Sequence, residues 1–493
     1  MRRKILTSGN SPKGSRNTLC GWIAILLMTA LFCSSCLKDD DDNNVTYYSD
    51  TAITAFALSS FNRTVHTTTA AGKDSTYVVQ IAGSGYKFYI DQQKQIIYNP
   101  DSLPAGSDAA HVICTITSKN SGIIMLKSLT SDSLAIYSAT DSINFSQPRI
   151  LRVYSNDGSS SRDYTVKVNV HQEEAEEFNW NLLMSDEENL AQTSCLRLAA
   201  LGDRCFAFGL ADDGKSTFMM DLQQRADGKE DYFALSFEGD VTGRIASSGK
   251  ELLILEGTTL HRYTLSETGA LTASTDNDRN VGNIAQLLAA DDKCIYARAT
   301  NGDLLVSTDY CLTWTKEGTD HDNSLLPTEN LSSIIVPSTT NADIHRLLLI
   351  GNREEGAFPA DATAQIWGKS IEPGVTGEEW YYINENDCSF PLPRMRSLSA
   401  IHYDTLILAV GAAGFGGSSV SAFTKFFVSQ DGGINWRGNS LYSFPKGFSS
   451  NNVFAMTVDS ENRIWMACGE SGQIWRGRMN RLGWETEQKA FTK

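Results

Sequence analysis

Between Arg162 and Val170 the chain alternates. Tyr164, Val166, Val168 and Val170 are apolar, and Asp163, Thr165, Lys167 and Asn169 between them are polar. A period of two turns one face of a strand to a core and the other to water. Weaker strand patterns precede it at ITAFAL (53–58), YKFYI (86–90), HVICTIT (111–117), LAIY (134–137) and RILRVYS (149–155). Gly83-Ser84-Gly85, Asn99-Pro100-Asp101 and Asn156-Asp157-Gly158 separate them as turn signals. Many short strands at this spacing predict a β-sandwich over residues 45–170. The polar, acidic HQEEAEE of 171–177 reads as a linker.

From Phe178 to residue 493 a unit recurs: an apolar strand, a polar turn, a second apolar strand, a glycine, then a third strand. The second strands begin at Cys205, Leu252, Cys294, Leu347, Leu406 and Ile464, at spacings of 47, 42, 53, 59 and 58 residues. Third strands follow as STFMMDL, TLHRYTL, DLLVSTD, AQIWGKS, FFVSQDG and GQIWRGR. Six such units predict the blades of a β-propeller, each a four-stranded sheet. The NWNLL stretch after the linker either supplies an outer strand that closes the ring or opens a seventh blade. Further sandwiches are the competing reading, and the regular period favours the propeller. The fold class is therefore all-β, a sandwich followed by a propeller.

Two third strands run into a shared pattern. VSTDYCLTW contains Ser307, Asp309, Thr313 and Trp314, and VSQDGGINW contains Ser429, Asp431, Gly433, Asn435 and Trp436. Both resemble the Asp-box, or BNR repeat, of sialidases and other propellers, whose full form is Ser-x-Asp-x-Gly-x-Thr-Trp. The first copy has Cys311 at the glycine position, and the second has Asn435 at the threonine position. An aspartate in a tight turn accepts hydrogen bonds from backbone N–H groups, glycine permits positive φ, and tryptophan buries a large area. These tasks are structural. The resemblance likewise implies hairpins on the outside of the ring, away from any central pocket.

The N-terminus changes the picture of location. Arg2, Arg3, Lys4, Lys13 and Arg16 precede an apolar run of 14 residues, Leu19 to Phe32, too short for a bilayer span and laid out like an export signal. Cys33-Ser34-Ser35-Cys36 resembles a bacterial lipobox with cleavage before Cys36 and lipidation of Cys36, although Cys33 stands where leucine is usual. Residues 1–35 are then a signal peptide and 36–44 a lipidated, acidic tether. Cys36-Leu37-Lys38-Asp39-Asp40 resembles the surface-export signal of Bacteroidota lipoproteins, which implies a lipid anchor in the outer membrane facing the cell exterior. The sandwich resembles immunoglobulin-like or cadherin-like modules of such proteins, and the whole layout is similar to Bacteroidota lipoprotein families catalogued as domains of unknown function.

Composition narrows the chemistry. A net charge of −16 and the lack of a basic stripe argue against a nucleic-acid partner. Seven cysteines follow Cys36 without CxxC spacing, so neither a disulfide framework nor a zinc site is predicted; a single Cys195–Cys205 bridge stays open. The seven histidines give no metal spacing, and there is no P-loop or Gly-x-Ser-x-Gly elbow, so no metal or cofactor is expected. Pro393-Arg394-Met395-Arg396 is a candidate anion turn or a solvated loop, and GFGGSS (414–419) reads as a flexible loop. Trp367, Trp380, Tyr381 and Tyr382 are sugar-stacking candidates against a core role. Asp240, Asp291, Asp292, Glu354, Glu355 and Asp361 are acids from which a hydrolytic pair would have to come. The reading favours binding over catalysis: a tethered scaffold whose ring face engages a glycan or cell-surface protein. A glycoside hydrolase or lyase, and an assembly factor for an outer-membrane complex, are the alternatives.

Overall fold

The computed structural model describes residues 47–69, 73–274, 278–338, 341, 343–372, 375, 377–450 and 452–483. The segments read as a signal peptide (1–35) and an acidic tether (36–44), with the expected lipidation site Cys36, lie outside them. The chain forms two compact units. The first holds 47–61, 82–99 and 109–168; the second holds 62–81, 100–108 and everything from Asn169.

The first unit is built from two sheets. Ile53–Leu58 pairs antiparallel with Cys114–Ser118. A six-stranded sheet runs in the order Tyr89–Asp91, Ile96–Tyr98, Ser161–Lys167, Arg149–Tyr154, Ile123–Lys127, Leu134–Ile136. Tyr164 joins the sheets: it is fully buried, and its hydroxyl accepts from Ile53 N at 3.4 Å and donates to Gln92 Oε1 at 2.5 Å. Phe56 packs on Phe88 with centroids 4.7 Å apart and the rings tilted by 50°, and meets Phe145 edge-on at 6.0 Å. The alternation from Arg162 holds only to Lys167. Beyond it Asn169 is buried and Val168 and Val170 are half-buried, because Val170 leaves the sheet to bridge Leu103.

The second unit holds six sheets of the four-stranded kind that the repeat predicts, one of them with an added short strand. Their innermost strands are Leu196–Leu201, Ile245–Ser247, Ile284–Ala290, Glu329–Pro337, Ser399–Tyr403 and Phe454–Val458. Each packs beside the next, and the last packs beside the first, so the sheets close a ring as blades 1 to 6. The strand read as NWNLL belongs to Phe178–Met184, which pairs antiparallel with Ile474–Met479 and is the outermost strand of blade 6. Blade 6 thus joins the first and last described strands of the propeller.

The second strands, among them Leu252–Glu256, Leu406–Val410 and Ile464–Cys468, are buried along nearly their whole length. A mid-blade strand has a neighbouring sheet on each face, so both of its faces demand apolar side chains and alternation disappears. The core is correspondingly divided. Six apolar clusters lie between successive blades, from Phe208, Met219 and Ile254 between blades 1 and 2 round to Leu198, Trp465 and Ile474 between blades 6 and 1.

Residues 171–177 carry no strand and are tied to the end of blade 6. Asn480 Nδ2 donates to Glu174 O at 2.9 Å, Asn480 N to Glu177 O at 3.0 Å, and Arg481 pairs with Glu176 at 2.9 Å. The described cysteines are all free, including Cys195 and Cys205, and burial raises the thiol of each. No described helix is long and apolar enough to cross a membrane.

Candidate functional site: the propeller channel and its rims

The two Ser-x-Asp hairpins join the third and fourth strands of blades 3 and 5. In blade 3, Ser307 Oγ donates to Asp309 Oδ1 at 2.8 Å and accepts from Cys311 N at 2.7 Å. Asp309 Oδ1 accepts from Thr313 N at 2.9 Å, and Oδ2 accepts from Thr313 Oγ1 at 2.6 Å. The hydroxyl and amide of Thr313 hold the Asp309 carboxyl down at about 2. In blade 5 the same bonds recur: Ser429 Oγ to Asp431 Oδ1 at 2.8 Å, Gly433 N to Ser429 Oγ at 2.9 Å, and Asn435 N and Nδ2 to Asp431 at 2.9 Å each. Desolvation pushes Asp431 up, but the Asn435 and Ser429 donors outweigh it and the carboxyl lies below its usual value. The bonds made by both carboxylates come from within their own turns, so both act as braces of those turns.

The innermost strands leave a central cavity of about 360 Å³, lined by residues that include Arg197, Ala199, Ser332, Ala400, His402 and Asp459. Each innermost strand is the edge of its sheet, so unpaired backbone N–H and C=O groups face this space. Arg197, from blade 1, reaches across the ring and donates through Nη1 to Leu331 O at the start of blade 4. His402 is half-buried, and burial depresses its imidazole below the usual value. Asp459 is the one carboxylate of the lining. It is saturated, accepting from Glu461 N, Arg463 N, Arg463 Nε at 2.6 Å and Trp465 Nε1 at 2.8 Å. Among the described residues the channel therefore offers no pair of free carboxylates.

Most of the nominated acids are engaged elsewhere. Asp240 caps Thr242, Asp291 accepts from Lys293 N and Cys294 N, and Asp292 pairs with Lys250. Asp361 holds Arg353 through two bonds of 2.9 and 2.6 Å, and Glu355 holds Arg396 through two of 3.1 Å. Glu354 stays exposed. It lies near Glu329, whose carboxyl is raised first by desolvation and then by Glu354 and Glu355, against the pull of Arg394 and Arg396.

The arginine-rich turn is not an open anion site. Arg394 is fully buried and gives Nη1 to Phe358 O and Nη2 to Arg353 O, each at 2.6 Å, while stacking on Phe415 at 4.1 Å. Arg396 lies on the same ring at 4.5 Å. These contacts fasten loop 353–364 of blade 4 to loop 411–426 of blade 5. Glycines in GFGGSS allow the two backbones to meet: at Gly416, with φ +64°, a Cβ would come 2.8 Å from both Pro359 O and Asp361 O. The loop read as flexible is close-packed. The sugar-stacking candidates fail for the same kind of reason. Trp367 and Trp380 are fully buried between blades 3 and 4, with indoles bonded to Leu325 O and Glu317 Oε2. Tyr382 is half-buried and bonds Gln365, and Tyr381 covers Gly368.

Sequence reasoning missed Arg197, Arg353 and Phe415. No local signal marks them, because their partners lie tens of residues away or across the ring. Among the described residues no group of three or more His, Cys, Asp and Glu side chains converges as metal ligands would.

Residues 174–487 match the family model described as the DUF6242 beta propeller domain, and residues 56–168 match the N-terminal domain of the same family, a domain of unknown function. No curated protein matches the chain. Among solved structures it is similar to the N-terminal domain of Nup159, at 11% identity over 62% of this chain and 96% of that one, with a TM-score of 0.30. It is similar to the Trichoderma reesei carbohydrate-active enzyme of family AA12, at 12% identity over 61% and 96%, with a TM-score of 0.36. A structure of YCF48 bound to D1 peptide matches at 12% identity over 61% and 95%, with a TM-score of 0.29.

Proposed function

The chain belongs to the DUF6242 family, and we propose that it is a surface-tethered binding or scaffold lipoprotein that engages a glycan or protein partner through the rim of its propeller. The observation that carries this reading is the locked pair of loops from blades 4 and 5. Arg394 and Arg396 are spent on holding them together, and Arg353 braces the blade 4 loop from within through Asp361. A rim whose loops are pre-ordered loses little conformational entropy when a partner docks. The saturated Asp459 and the lack of paired free carboxylates in the channel favour binding over hydrolysis. Tethering rests on the resemblance of Cys36 and its acidic follower to surface-exported lipoproteins of Bacteroidota.

The test passes purified protein over host and plant polysaccharides and over outer-membrane extract, recording retention and released sugars. Retention without release is expected. In whole cells Cys36→Ala should abolish incorporation of labelled fatty acid and free the protein from the membrane; unchanged labelling would remove the anchor from the reading.

One observation favours a second reading. Glu329 is exposed, and its carboxyl is raised by desolvation and by Glu354 and Glu355, the direction that a general acid requires. A hydrolase would release sugars from at least one polysaccharide, and Glu329→Gln would stop the release while retention persisted.

A further inference from the structure

We infer that the central channel is a binding site for a small carboxylic acid, held by the free edge of the Arg197 guanidinium. This goes beyond partner binding at the rim and concerns a different part of the propeller. Arg197 Nη1 is committed to Leu331 O, which fixes the plane of the group across the ring. Nε and Nη2 have no partner among the described residues. That is the edge that matches a carboxylate through two parallel hydrogen bonds.

The charge is unbalanced in its surroundings. Burial pushes the Arg197 guanidinium down to about 10, so it remains a cation at neutral pH. The only carboxylate lining the cavity, Asp459, is saturated by Arg463, Trp465 and two backbone amides. A side chain serving only to brace the ring against a carbonyl has no need of charge. A neutral amide would make the same bond without desolvating a cation. An arginine with one edge anchored and the other facing a cavity is arranged to receive an anion.

The space and its lining define the rest of the ligand. A cavity of about 360 Å³ suits a molecule of sugar or amino-acid size. Ala199, Ala200 and Ala400 keep the wall short, and Ser333 and the unpaired strand edges supply donors and acceptors for hydroxyl groups. The lining runs from Arg197 to Gly202, Gly249 and Ser460, in the turns after the innermost strands of blades 1, 2 and 6. A hydroxylated acid with its carboxylate on Arg197 would lie along this wall.

The experiment titrates the purified chain with D-glucuronate, D-glucose and inorganic phosphate, by calorimetry and by phenylglyoxal labelling of Arg197 read by mass spectrometry. Glucuronate is expected to bind and to protect Arg197 from labelling, and glucose to do neither. Arg197→Gln should weaken glucuronate binding at least tenfold, and Arg197→Lys should weaken it less because the charge stays while the fork is lost. The labelling arm uses the unaltered chain, so it decides the matter even if Arg197→Gln fails to fold. Three results would overturn the assignment: no glucuronate binding, an Arg197 that resists labelling without ligand, or glucuronate binding unchanged in Arg197→Gln. Phosphate binding as tightly as glucuronate would overturn the carboxylate class. Retention of a partner at the rim by Arg197→Gln leaves the rim reading standing whichever way the channel falls.

Discussion

The hairpins at Ser307–Trp314 and Ser429–Trp436 make the same bonds with different residues in the two positions that matter most for strain. In blade 5 the turn passes through Gly432 at φ +76° and Gly433 at φ +95°. In blade 3 the equivalent residues are Tyr310 at φ +58° and Cys311 at φ +65°. Left-handed backbone costs a residue with a Cβ about 1–2 kcal/mol, a cost that glycine avoids. Blade 3 meets that cost twice and recovers part of it by packing. The Cys311 side chain is buried against the blade 2 core of Leu253, Leu255 and Leu260, and the Tyr310 ring lies over Arg262 at 4.6 Å. Blade 5 leaves that space to its neighbours, so Leu348 and Ile366 of blade 4 approach Gly433 directly.

The tryptophans differ too. Trp436 is 3% exposed and gives Nε1 to Gly433 O at 2.9 Å. Trp314 is half-buried, and its buried Nε1 has no partner. One set of local bonds is therefore compatible with a relaxed, fully docked hairpin and with a strained, partly docked one. The comparison teaches that the Ser-x-Asp bonds shape the turn, while the docking of the tryptophan anchors it to the preceding blade.

The largest expected effect is at the tryptophans. Trp436→Ala should lose about 3–5 kcal/mol of stability in urea unfolding, the range for a buried aromatic, and Trp314→Ala distinctly less. Equal losses would break the distinction. Next come the braces: Asp431→Ala should cost about 1–2 kcal/mol, a capping-sized loss that allows for the solvent around the carboxyl, and Asp309→Ala less, since that group is open to water. Gly433→Ala should cost about 1–2 kcal/mol through its positive φ, with Leu348 Cδ1 only 3.4 Å from the new methyl group. Its mirror, Cys311→Gly, should change stability by less than about 1 kcal/mol, relief of backbone strain nearly offsetting the lost burial. A large loss there would mean that the thiol, not the turn, holds the hairpin in place.

The smallest effect is the dependence on acid. A carboxyl lowered by folding contributes stability that is complete above its unfolded value and disappears as pH falls through its folded value. For Asp309 that window runs from about 3.8 down to about 2. Asp431 is also lowered, so both hairpins should weaken in the same acid range. Asp309→Ala and Asp431→Ala should each flatten the fall in melting temperature there, and a fall unchanged in both variants would place the acid sensitivity elsewhere.

Legibility followed the range of the forces. Cys205, Leu252, Leu347, Leu406 and Ile464 marked second strands correctly because a strand covered on both faces needs an unbroken apolar run. The Ser-x-Asp turns were readable because every bond falls within five residues of the aspartate or serine. The role of Phe178–Met184 stayed ambiguous between closing strand and new blade, since only pairing with Ile474–Met479 settles it. For Trp367 and Trp380 the choice between sugar stacking and a core role stays open in the sequence, because it gives no sign of the blade that covers them. Arg394 and Arg396 looked available to an anion until two distant loops folded over them.

The sequence by itself determined the periodic strands, their turns and the two hairpins. Each of these depends on side-chain spacing and on hydrogen bonds within a few residues. Only the tertiary structure decided what faces the channel. Arg197 meets Leu331 across 134 residues of chain, and such a contact exists only once every blade has taken its place. Closing the ring brings strand edges of five blades around one shared space, because the lining belongs to no single blade and the free edge of one guanidinium acquires its meaning from the other four.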